Sequence, residues 1–129
     1  MTKNIAGKLK TYVGLVIKRT LIQTQSELSS TKVSPRDEGR FRSNWFATSG
    51  RPSDATTEAL DEPRTDANDL KLDYNKTYYL TNNLPYADGL CYGGRAVSQP
   101  KNWYQSFINA RYRKIFEDAA KKAEKEAGL

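Results

Sequence analysis

The residues that could carry catalysis are few, and their spacing does not suit it. The chain has no histidine, so the commonest general base and the commonest metal ligand are missing. Cys91 is the single cysteine, which allows neither an internal disulfide nor a zinc site. Adjacent carboxylates stand at Asp37–Glu38 and Asp61–Glu62. In polar loops such pairs are solvated rather than tuned for proton transfer. Gly93-Gly94 follows no expected strand and opens no expected helix, which leaves a phosphate-cradling loop unsupported. No catalytic, cofactor-binding or metal-ligating set is expected, and the chain reads as something other than an enzyme.

Binding chemistry is better represented. Arg36, Arg40 and Arg42 surround Phe41 and Trp45, and Arg111 and Arg113 flank Tyr112. Basic residues interleaved with aromatics can neutralise phosphates and stack bases. The competing reading makes the aromatics core and the arginines rim or interface. No helix-turn-helix, zinc-finger or RNP-type pattern accompanies them. The net charge of +6 is unevenly placed. Residues 1–51 hold 10 basic and 3 acidic side chains, 52–88 hold 3 and 8, and 89–129 hold 8 and 4. Such alternation suits a subunit that meets copies of itself through complementary faces, although solvated surface charge accounts for it equally well.

These residues need elements to position them. The 129 residues suffice for one domain with one core. Fourteen aromatics, eight of them tyrosine, argue for a folded chain. No apolar stretch approaches the roughly 20 residues that span a bilayer. An amphipathic helix is expected over residues 3–28, with Ile5, Leu9, Tyr12, Val13, Val16, Thr20 and Leu21 in its stripe and Gly14 on the polar side. Residues 32–39 read as a loop and 40–49 as a strand in which Ser43, Trp45 and Ala47 share a face. Residues 50–69 read as a mobile, exposed acidic excursion carrying Asp54, Glu58, Asp61 and Glu62. A hairpin is expected from 70–74 and 77–82, then an irregular link over 84–97. A second helix is expected over about 100–126, capped by Ser98, with Ile108, Tyr112, Ile115, Phe116, Ala119 and Ala123 in its stripe. Trp103 and Phe107 open a neighbouring face, and 119–129 can fray. The order predicts an α+β domain: a small antiparallel sheet of three to four strands against an N-terminal and a C-terminal helix.

Two runs stand out: Pro35-Arg-Asp-Glu-Gly-Arg-Phe-Arg-Ser-Asn-Trp45, and Tyr79-Leu-Thr-Asn-Asn-Leu-Pro-Tyr-Ala87 continuing to Leu90-Cys-Tyr-Gly93. Together, between two helices, they resemble the neck or tail-completion proteins of tailed double-stranded DNA bacteriophages. Pro35, Asp37, Gly39, Arg40, Arg42 and Trp45 carry the first pattern. Asn82, Asn83, Pro85, Tyr86, Ala87, Tyr92 and Gly93 carry the second. Glu38 stands where the pattern has threonine, and Cys91 where it has glutamate.

The resemblance implies a virion protein assembled in the host cytoplasm as a ring at the neck. The ring is expected to have six copies, with twelve the alternative, and to sit between the head-side portal or adaptor and the tail terminator or tail tube. DNA is then cargo passing through the enclosed channel. A tail terminator or an adaptor is the nearest alternative. The acidic residues of 50–69 are expected to face arginines such as Arg36, Arg40 or Arg42 across a subunit joint. Elementary chemistry asks local work of the same residues. Asp37 can fix its loop, Gly39 can take a positive φ, and Trp45 can seal sheet against helix. Asn82 and Asn83 can satisfy strand-end backbone groups, and Pro85-Tyr86 can turn the chain back.

Overall fold

The computed structural model describes residues 2–30, 39–71, 73, 75–87, 91 and 103–129. Pro35, Arg36, Asp37, Glu38, Leu72, Tyr74, Leu90, Tyr92, Gly93, Gly94, Ser98 and Pro100 lie outside the described residues. The fold is α+β, with helices at both ends and a two-stranded antiparallel sheet between them. Among the described residues the sheet is smaller than the three to four strands expected.

Helix α1 spans Thr2–Leu28. Its second half buries Val16, Thr20, Thr24, Gln25 and Leu28. Its first half leaves the same stripe uncovered: Ile5 is 55% exposed and Leu9 49%. Gly14, placed by periodicity on the polar side, is buried.

The chain next forms a 3-10 turn at Arg42–Asn44, where a strand was expected. Short polar side chains explain the difference. Ser43 Oγ donates to the Gly39 carbonyl at 2.9 Å, and Asn44 Nδ2 to the Arg40 carbonyl at 2.7 Å. These bonds hold a curl that competes with an extended ladder. Strand β1 is confined to Phe46–Ser49.

Strand β2, Tyr78–Thr81, pairs with β1 and, among the described residues, not with Leu70, Lys71 or Asp73. The register sets Phe46 against Thr81 and Ser49 against Tyr78, and Gly50 N donates to Thr77 O at 2.8 Å. The expected hairpin partner is tied up differently. The Tyr78 hydroxyl accepts from Asp73 N and donates to Lys71 O, each at 2.7 Å. Two backbone groups that a ladder would use are thereby taken, and Leu70, Lys71 and Asp73 carry no strand. The outer edge of β1 is blunted by Asp66, whose carboxylate accepts weakly from Ala47 N at 3.4 Å.

The C-terminal helical rod has three parts: α2 (Trp103–Ser106), a π-helical stretch (Phe107–Tyr112) and α3 (Arg113–Glu126). Its buried residues, Trp103, Phe107, Ile115, Ala119, Ala123 and Ala127, are separated by multiples of four. A straight α-helix drifts about 40° for each four-residue step, since it turns 3.6 residues per turn. The wider π stretch takes up an extra residue and so keeps Phe107 and Ile115 on one face. This corrects the expected stripe: Ile115, Ala119 and Ala123 are buried, whereas Ile108, Tyr112 and Phe116 are exposed. The C-terminal end, expected to fray, is closed. Leu129 N donates to Glu124 O and Gly128 N to Lys125 O, with Gly128 at φ 75°. That pairing is a Schellman cap.

The core gathers Leu28, Phe41, Trp45, Leu84, Cys91, Trp103, Phe107 and Ile115. Phe41 meets Trp45 edge-on at 5.5 Å, and Trp45 stacks with Tyr104 at 6.2 Å. The aromatics of the arginine-rich run thus lock onto the start of the C-terminal rod.

Candidate functional site

The described residues of the two runs fall into one corner, built around the Arg40–Trp45 curl. Gly39 has φ 82°, as its turn role requires, and a Cβ there would lie 2.7 Å from Asp61 N. Asp61 N donates to Gly39 O at 2.9 Å. Asp61 itself has φ 54°, unusual for a residue with a side chain. Its carboxylate pairs with Arg42, whose side chain is only 4% exposed. Arg40 donates from Nε to Thr57 O at 3.2 Å and from Nη2 to the exposed Glu58 at 3.0 Å. The side chain of Asn44 is fully used: Nδ2 donates to Thr57 O at 3.1 Å and Oδ1 accepts from Thr57 N at 2.8 Å. Ser43 Oγ accepts from Glu62 N at 2.8 Å.

The second run closes the same corner. Asn82 Nδ2 donates to Phe41 O at 2.8 Å, and Asn83 Nδ2 donates to Ser53 O at 2.7 Å and Ala55 O at 3.1 Å. Ala87 N donates to Leu84 O at 3.0 Å, so Pro85 and Tyr86 occupy the middle of a turn as expected. Pro85 is exposed, while Tyr86 is half-buried against the core. The structure therefore brings together Gly39, Arg40, Arg42, Trp45, Asn82, Asn83, Glu58, Asp61 and Glu62. Asp54 is exposed beside them in sequence.

Two expectations change. The acidic excursion was expected to lack anchors, but polar side chains pin its backbone at Ser53, Ala55, Thr57 and Glu62, and the Gly39 carbonyl holds it at Asp61 N. It also holds a 3-10 helix, Asp66–Asp69, with Ala67 buried. Arginines expected to be met across a subunit joint are met within the chain, since Glu58 pairs with Arg40 and Asp61 with Arg42.

Sequence reasoning missed the bolt that ties α1 to this corner. Gln25 is 1% exposed; its Nε2 donates to Trp45 O at 2.9 Å and its Oε1 accepts from Ala67 N at 3.0 Å. The signal was present: Gln25 follows Leu21 by four residues and precedes Leu28 by three, a polar residue in an apolar register. A second clamp joins the helices. Arg111, in the π stretch, donates from Nε and Nη2 to both Glu27 carboxylate oxygens at 2.6 Å. Burial opposes Glu27 ionisation, but hydrogen bonds from Arg111 and Gln23, with the Arg111 charge, hold the carboxyl below its ordinary pKa. The bond to Glu27 raises that of Arg111.

The other face of the molecule is open. A groove of about 310 Å3 runs between α1, β2 and the C-terminal rod. Val16, Ile17, Leu21, Leu80, Tyr112 and Phe116 give it apolar walls, with Thr20 and Thr24 on its floor and Lys76 at its rim. Both threonines are only 6% exposed, and neither hydroxyl has a hydrogen-bond partner. Among the described residues no group of three or more His, Cys, Asp or Glu side chains is placed to hold a metal ion. No protein-family model, curated protein or solved structure matches the chain.

Proposed function

We propose that the chain is a ring subunit at the neck of a tailed bacteriophage. It would join the head-side portal or adaptor to the tail and enclose the channel through which the genome leaves. One observation carries this reading. The two runs on which the resemblance rests are joined directly, through Asn82 to the Phe41 carbonyl, while Asn83 reaches the neighbouring acidic excursion at the Ser53 carbonyl. Two short motifs some 40 residues apart thus serve one joint, which is what a shared architecture asks of them. A closed ring also needs two different faces on each subunit. The pinned acidic corner and the open apolar groove supply a pair.

A basic module that binds nucleic acid is favoured less by the geometry. Base stacking needs exposed rings beside the arginines. Phe41 and Trp45 are buried, Arg42 pairs with Asp61, and Arg111 is clamped to Glu27.

Negative-stain imaging of particles made without this protein tests the proposal. Tailless heads beside separate finished tails are expected, with joining restored by the purified chain. Normally joined particles would overturn it, as would affinity for free DNA that falls steeply with salt and is shown by the monomer.

A further inference from the structure

Resting on the ring reading, we infer that the joint between neighbouring copies is made by Leu60 of one copy seated in the α1–β2–rod groove of the next. The groove demands an occupant with mixed chemistry. Its walls are aliphatic and aromatic, which favours a branched apolar side chain. Its floor offers two buried, unpartnered hydroxyls, from Thr20 and Thr24. A buried polar atom without a partner is destabilising. The occupant should therefore also bring backbone or carboxylate groups that can hydrogen-bond. At the rim the exposed Lys76 asks for an acid.

The chain carries a segment of that description. Leu60 is 55% exposed in the middle of Glu58-Ala-Leu-Asp-Glu62, the most exposed apolar side chain of the acidic excursion. It is held out on a rigid support. Asp61 sits at φ 54°, fixed by Arg42 and by the Gly39 carbonyl, while Glu62 N is bound to Ser43. A preorganised knob loses little freedom on docking. Glu62 is exposed and Lys76 is exposed, and among the described residues neither has an ion-pair partner. Glu62 beside the knob thus matches Lys76 at the rim of the groove. None of the groove's lining residues comes from 50–69, so knob and groove are separate surfaces of one subunit. A knob on one face and its socket on another give a head-to-tail contact, which closes into a ring when the rotation allows.

Disulfide trapping in the full chain tests the inference. Leu60→Cys and Ile17→Cys are introduced together; the native Cys91, 6% exposed, stays out of reach. On oxidation at the highest soluble concentration the double variant should give a ladder of covalent oligomers. An equal mixture of the two single variants should stop at dimers, because each pair then has one usable joint. Leu60→Asp and Phe116→Asp, made without cysteines, should each melt like wild type and fail to assemble into rings on particles. Absence of a ladder overturns the inference, and so does trapping of Ile17→Cys alone, which would mean groove-to-groove pairing. Rings of Leu60→Asp indistinguishable from wild type overturn it too. Joining of heads to tails by the wild-type chain without any ladder would leave the neck reading standing and sink only this joint. Failure of the wild-type chain to join heads and tails sinks the neck reading, while the ladder still decides the knob and groove.

Discussion

The corner around Arg40–Trp45 and the groove between α1 and the C-terminal rod use opposite means. In the corner most buried polar groups have a partner, the Arg42 Nε and the Trp45 indole nitrogen being exceptions. Asn44, Ser43, Asn82 and Asn83 spend their side chains on backbone groups of distant segments. The groove is apolar and open, with two floor hydroxyls unpartnered. Polar pinning fixes the path of residues 51–66, a stretch with no buried side chain of its own. Apolar openness leaves a surface whose free energy falls only when something covers it. The contrast teaches that the acidic excursion is held by polar bonds to distant segments, whereas the groove is left open.

The largest expected effect comes from breaking the corner at its aromatic base. Trp45 is buried against Phe41 and Tyr104 and accepts a hydrogen bond from Gln25 at its carbonyl. Trp45→Ala should cost about 3–5 kcal/mol, enough to unfold a small domain. Thermal melting followed by circular dichroism should show no cooperative transition; a soluble, cooperatively melting variant would contradict this.

Next in size is the α1 bolt. Gln25→Leu keeps the volume but leaves Ala67 N–H and Trp45 C=O without their partner. Each orphaned backbone group costs about 1–3 kcal/mol. A urea midpoint within error of wild type would show that the bolt is dispensable. Asp61→Asn is expected to cost somewhat less, about 2 kcal/mol, because the buried Arg42 loses its counter-charge while Asp61 itself is partly exposed. Limited proteolysis should then cut within 53–62, where the wild-type chain resists. Equal resistance in both proteins would remove the ion pair from the account of how the excursion is held.

Much of this was legible in the sequence, and the failures have a common cause. The two terminal helices follow from 3.6-residue periodicity, and Gly39, Trp45 and the Pro85-Tyr86 turn follow from residue type. The strand expected at 40–49 failed because Ser43 and Asn44 turn their side chains onto the backbone, which periodicity cannot register. Lys71 and Asp73 form no strand where one was expected because the Tyr78 hydroxyl takes the Lys71 carbonyl and the Asp73 amide, a contact set by tertiary position. The acidic excursion looked unanchored because only apolar anchors were sought. Its anchors are amides and hydroxyls, supplied by residues 13 to 30 positions away. The stripe of the second helix was misplaced because a π stretch changes the period in mid-rod.

A smaller effect is expected from the Glu27–Arg111 clamp. Its folded carboxyl lies below the ordinary value, so the clamp contributes stability above the unfolded glutamate pKa of about 4.3. That contribution is lost as pH falls through the lower folded value. Glu27→Gln should lower stability by about 1 kcal/mol at neutral pH, discounted because Arg111 is half-exposed. The melting temperatures of variant and wild type should converge below about pH 4. A gap independent of pH would mean that Glu27 acts through packing alone.

The smallest effect on stability, and the one that sharpens the contrast most, belongs to the groove. Phe116 is 50% exposed and touches the cavity without filling the core. Phe116→Ser should therefore move stability by no more than about 0.5 kcal/mol, the usual scale for surface substitutions. In the corner, changes of similar chemical size cost several times more, because they strand buried partners. If Phe116→Ser melts like wild type yet fails to join heads to tails, then the groove is a surface kept for a neighbour. A melting temperature lowered as far as that of Gln25→Leu would instead make Phe116 part of the core, and the division between a closed corner and an open face would not hold.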